Sequence, residues 1–171
     1  MPELRGHTIR VRYRPRLTAW RGQLLSKSHK GDAVYAGCFL RKRQITLDAS
    51  MLRTPRVLER IFIHEVFHFV WSKLDQATRR SWDALIRAEV KSSVRGELAW
   101  SAESMKNRVT AADMQQRSRR WKDYLCESFC DTAAWYFGTV RRYAENTLDR
   151  DTRDQRRAWV LANLAERSLP V

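Results

Sequence analysis

Polar and apolar residues alternate through His7-Thr8-Ile9-Arg10-Val11-Arg12-Tyr13-Arg14, the period of a half-buried strand, and Pro15 ends it. Residues 17–28 hold no clean period and read as a short helix or an irregular segment. Residues 33–40 and 44–48 read as two strands, joined into a hairpin by a turn at Arg41-Lys42-Arg43. Gly37 inside the first marks a bulge or a close backbone approach. At Thr54-Pro55 the period changes to that of a helix, with Thr54 as cap and Pro55 in the first turn.

From Val57 to Trp71 apolar residues cover nearly every face of this helix, which predicts a central, buried element. His64, Glu65 and His68 interrupt it. Burying three such groups costs free energy unless something compensates, and a metal ion would. Further on, residues 78–92 form a second helical pattern and 98–105 a short one, within a lid-like connection over 93–109. Thr110 with Asp113 opens a long helix to Phe137, which Gly138 ends. Thr152 with Gln155 opens a last helix to about Glu166.

The elements add up to an α+β fold, mostly helical. A small antiparallel N-terminal sheet should pack on the central helix, inside one domain spanning 1–171. Trp71, Trp82, Trp100, Trp121, Trp135 and Trp159 are expected in the core. Hydrophobic residues make up 43% of the chain against ten Gly and Pro, which excludes a disordered composition. No run approaches the length of a membrane span, and the first residues lack the apolar stretch of a signal peptide. Cys38, Cys126 and Cys130 are odd in number, lack scaffold spacing, and read as reduced thiols of a cytoplasmic protein, most simply small buried hydrophobes. The net charge of +14 allows a nucleic-acid or acidic partner. Basic residues spread over the whole chain, however, so solvated faces are the simpler reading.

His64-Glu65-Val66-Phe67-His68 is an H-E-x-x-H sequence. Two histidines four residues apart project from one helix face and can share a metal ion, with the glutamate placed to deprotonate a water. A catalytic zinc site needs a third protein ligand. The chain has four histidines and none follows His68; the positions of H-E-x-x-H-x-x-G-x-x-H hold Trp71 and Leu74 instead. The third ligand is therefore a carboxylate, a cysteine, His7 or His29, and the last two read as surface residues. Glu127 is the best candidate. Asp131 lies one turn beyond it, where it can accept the free ring N–H of a ligating histidine.

H-E-x-x-H on one helix with E-x-x-x-D on a later one resembles the gluzincin zinc metallopeptidases, over residues 33–71 and 121–137. The hairpin before the metal helix resembles their upper sheet, whose edge strand pairs with extended substrate. The resemblance implies Zn2+ held by His64, His68 and Glu127, Glu65 as general base, Asp131 supporting a histidine, and a peptide or protein substrate. Three departures stand against the pattern. Cysteines flank Glu127 at 126 and 130, where either thiolate can compete for the metal, Asp123 offers a carboxylate one turn earlier, and no residue is evident for the oxyanion, with Tyr143 the nearest suggestion. Two other readings stay open: a non-catalytic regulatory or nucleic-acid-binding protein with a basic surface, and a non-haem iron enzyme, since two histidines and a carboxylate also suit Fe(II).

Overall fold

The computed structural model describes residues 1–171. Eight strands and six α-helices form an α+β fold. The strands are β1 (Leu4–Arg5), β2 (Arg10–Arg14), β3 (Leu17–Trp20), β4 (Gln23–Ser26), β5 (Asp32–Ala33), β6 (Ala36–Phe39), β7 (Gln44–Asp48) and β8 (Leu169–Pro170). The helices are α1 (Pro55–Lys73), α2 (Gln76–Lys91), α3 (Trp100–Lys106), α4 (Ala111–Gln116), α5 (Arg119–Phe137) and α6 (Arg150–Val160), the last running on through a π-turn at Leu161–Ala165. No helix is long and apolar enough to cross a membrane.

α1 explains its own composition. Val66 and Phe69 face the sheet, where they pack with Ile45, Leu47 and Met51. Ile63, Phe67 and Val70 face the other way, into a larger core with Trp82, Ile86, Trp121, Tyr124 and Phe129. A helix sandwiched between a sheet and a helical layer must be apolar on two sides. Only the remaining side carries His64 and His68.

The three-stranded sheet runs β2-β7-β6. β6 and β7 form the predicted antiparallel hairpin, with Arg43 in the left-handed region at the turn. The sheet is not wholly antiparallel, because β2 pairs with β7 in parallel. The chain leaves β2 into a second small sheet, β4-β3-β5, and returns through β6, which reverses it twice. Residues 17–28, predicted helical or irregular, are the β3–β4 hairpin of that second sheet. Asp48 joins the two sheets: its buried carboxylate accepts the Leu17 N–H at 2.7 Å and caps the 3-10 turn that follows at Ser50.

Other boundaries also differ from the sequence reading. Thr54 does not cap α1; its hydroxyl donates to the Met51 carbonyl. The predicted helix over 110–137 is two helices. The Thr110–Asp113 capping box opens only α4, Arg117 turns left-handed, and Ser118 caps α5 through the Trp121 N–H. α6 is capped by Asp149, three residues before the predicted Thr152. Trp100 is 69% exposed rather than core.

A buried ion cluster holds the connection between α2 and α5. Arg156 has no exposed surface and binds Glu89 and Glu97 through paired contacts of 2.6 to 2.9 Å. The Glu97 carbonyl in turn accepts the N–H groups of Thr147 and Leu148. Gly96 beside it has φ +75°, and a Cβ there would stand 2.4 Å from the Thr147 carbonyl oxygen. One residue thus anchors both the approach to α3 and the loop before α6. Arg156→Met should leave the buried Glu89 carboxylate without its partner and Glu97 with only Lys106 and Tyr124, and lower unfolding stability by about 3–5 kcal/mol. Urea unfolding measures this; a loss below about 1 kcal/mol would contradict the anchoring role.

Candidate metal centre

α1 and α5, each 19 residues long, pack along one another and bring the two sequence motifs together. His64 and Glu65 are buried and His68 is nearly so. The two imidazoles converge, with Nε2 of His68 3.1 Å from Nε2 of His64. Glu127 reaches in from α5, with Oε2 3.4 Å from His64 Nε2 and Oε1 3.7 Å from His68 Nε2. Ligand atoms of His64, Glu65 and His68 also lie within 4.8 Å of one another, so Glu65 borders the same point.

These spacings can be tested against a metal ion. Bonds of about 2.0–2.1 Å in a tetrahedron put neighbouring ligand atoms about 3.3–3.4 Å apart. The 3.1 Å between the imidazoles, and the 3.4 and 3.7 Å from them to one and the other oxygen of Glu127, lie around that edge. The nitrogen and oxygen donors suit a divalent transition ion.

Supporting contacts fix the rings. Asp131, buried, accepts from His64 Nδ1 at 2.7 Å, which leaves Nε2 free to face Glu127. Ser101, from the first turn of α3, donates to the other Asp131 oxygen at 3.2 Å. His68 Nδ1 meets Cys126 Sγ at 3.3 Å. Asp123 points outward to Arg119 and is half exposed, so the alternative carboxylate is out of reach. His7 and His29 are exposed and do not border the groove.

The environment separates the titrations of the two glutamates. Burial pushes the Glu65 carboxyl up, against the charges of His64 and His68. Burial also acts to raise Glu127, but the hydrogen bond and charge of His64, with the charge of His68, outweigh it and hold Glu127 low. A carboxylate kept ionised is fit to ligate, and one kept basic is fit to take a proton. Burial disfavours charge on His64, yet the charge and hydrogen bond of Asp131, joined by Glu127, hold its pKa well above the usual value. At Cys126 a hydrogen bond from Cys130 and contact with His68 prevail over burial and bring the thiol down to about 6.

The four side chains open on a groove of about 530 Å³. β6 forms one wall and is an edge strand. The carbonyl of Tyr35, just before β6, accepts from Asp48 N, so by the alternation of an antiparallel ladder the backbone groups of Ala36 and Cys38 turn to the open side. Ala99, Trp100 and Ser101 form the facing wall. Exposed Tyr35 and Trp100 stand at the rims. Arg60, one turn before His64, is the one Lys or Arg lining the groove; it pairs with Glu145 at 3.0 Å and lies over the Tyr143 ring.

The structure therefore brings together all five residues singled out in the sequence: His64, Glu65, His68, Glu127 and Asp131. It adds Ser101 and Arg60, which sequence reasoning passed over, and it places Cys126, noted there as a neighbour of Glu127, against His68. Ser101 and Arg60 carried no signal. Cys126 did, as the direct neighbour of Glu127, but it read as a small hydrophobe. Comparison of the chain with family models, curated proteins and solved structures finds no match.

Proposed function

We propose that the protein is a zinc-dependent, zincin-like hydrolase of peptide bonds. The observation that carries this is the triangle of His64 Nε2, His68 Nε2 and a Glu127 carboxylate, sized for one ion and braced by Asp131. Zinc held by these residues supplies a Lewis acid that activates water and polarises the scissile carbonyl. Iron would fit the same donors, but a basic Glu65 beside them has its clearest use in hydrolysis.

In this reading Glu65 takes the proton of the attacking water and passes it to the leaving amine. An extended peptide lies against β6 and pairs with the open backbone groups of Ala36 and Cys38. Tyr35 and Trp100 offer it apolar rims, and Arg60 is the cation within the groove for the developing oxyanion. The cytoplasmic setting drawn from the reduced cysteines remains part of the proposal.

A second reading, a nucleic-acid-binding protein without useful hydrolysis, is favoured by where the charge lies. Residues 1–53 carry twelve Lys and Arg against three Asp and Glu, nine of the net fourteen positive charges. β2 is wholly exposed, with Arg10, Arg12 and Arg14 along one face.

Glu65→Gln should retain stoichiometric zinc and lower kcat/KM on an unstructured protein substrate by about 10²-fold or more. Cleavage that survives the change sinks the mechanism. A wild type that cleaves nothing, yet binds duplex DNA with a steep loss of affinity on adding salt, favours the second reading.

Zinc affinity should also rise with pH. His64 holds its proton into the neutral range, and a ligating imidazole must give it up. Each proton displaced adds about tenfold in affinity per pH unit while pH lies below the His64 pKa. Chelator competition between about pH 6 and pH 8 measures it. A flat profile would show that His64 carries no proton for the ion to displace over this range.

A further inference from the structure

The two imidazoles of the site are supported by different chemistry. Behind His64 stands a carboxylate, Asp131, with Oδ1 2.7 Å from Nδ1. Behind His68 stands a thiol, Cys126, with Sγ 3.3 Å from Nδ1. Both supports come from α5 and flank Glu127, one residue before it and four after. One helix thus presents a carboxylate between two acceptors, each aimed at the outer nitrogen of a histidine on α1.

We propose that Cys126 is the positioning residue of His68. Its sulfur accepts the Nδ1–H, fixes the tautomer, and leaves Nε2 to face His64 and Glu127, as the Asp131 carboxylate does for His64. Sulfur has the lone pairs to accept whether or not the thiol is ionised, so the role follows from position alone. Cys130, fully buried one turn further on, places its sulfur within 4.8 Å of the Cys126 sulfur.

The inference rests on the metal-binding reading and is tested so that the two can fail separately. The probes are Zn2+ in chelator competition and Co2+ in absorption, with no assay of cleavage. Wild type should bind one ion. Cys126→Val, close to the thiol in size but without an acceptor, should bind about 10–100-fold more weakly. Cys126→Ser and Cys126→Asp restore an acceptor, and at least one should recover most of the lost affinity, which a purely space-filling role would not produce. The Co2+ form of wild type should show no sulfur-to-cobalt charge-transfer band. Independently of any variant, 15N–1H spectra of the zinc form should show a slowly exchanging proton on His68 Nδ1.

Several results would overturn the proposal. They are a Cys126→Val protein that binds as tightly as wild type, absence of the His68 Nδ1 proton, or a charge-transfer band that Cys126→Val abolishes. The last would make sulfur a ligand, drawn from the His68, Cys126 and Cys130 group whose donor atoms also lie within 4.8 Å of one another. Failure of wild type to bind any ion removes the metal reading itself, and this inference with it.

Discussion

A 2.7 Å contact between His64 on α1 and Asp131 on α5 sits where the two longest helices cross the core. Both groups are buried, and neither would be tolerated there alone. Together they form a charge-assisted bond that also sets which imidazole nitrogen faces Glu127. The rest of the site depends on this pair, since it fixes the rotation of α5 against α1. That rotation carries Glu127 and Cys126 to the places where they meet His68. Apolar packing of Phe67, Val70, Phe129 and Ala133 holds the helices together; the polar contact selects their register.

Around this joint the molecule is built in layers with separate tasks. The sheet covers one side of α1 and offers β6 as an open edge over the histidines. The helical layer covers the other side and supplies the carboxylates. The third wall is a connection without a large core of its own, and it is held by ion pairs instead: Arg156 clamps Glu89 and Glu97, and Glu97 anchors the turn into α3. A groove assembled from three independently anchored pieces keeps its donor atoms on rigid helices while its rims stay exposed.

Much of this was legible in the chain. α1 could be read because two buried faces leave an unbroken apolar pattern that only the His64-Glu65-His68 trio interrupts. Glu127 and Asp131 could be read because metal chemistry restricts ligands and spacing, and His68 is the last histidine. What escaped has separate causes. The β3–β4 hairpin turns at Arg21 and Gly22, both at positive φ, and α4 is cut from α5 at Arg117, also at positive φ. Such ends are usually announced by Asn or Gly; Arg117 gives no such signal, and at the hairpin Gly22 follows an arginine at the first turn position. The parallel β2–β7 pairing escaped because nothing local in either strand records its partner. The Cys126–His68 contact escaped because a cysteine on a buried helix reads as an apolar side chain until its neighbour is known.

The central claim is that α1 and α5 hold one ion between His64, His68 and Glu127. Anomalous diffraction at the zinc absorption edge, from crystals grown with Zn2+, addresses it without reference to any activity. The account predicts a single strong peak bonded to Nε2 of both histidines and to a Glu127 oxygen, at about 2.0–2.2 Å from each. A peak bonded to Cys126 and Cys130, or crystals with no peak between the two helices, would contradict it.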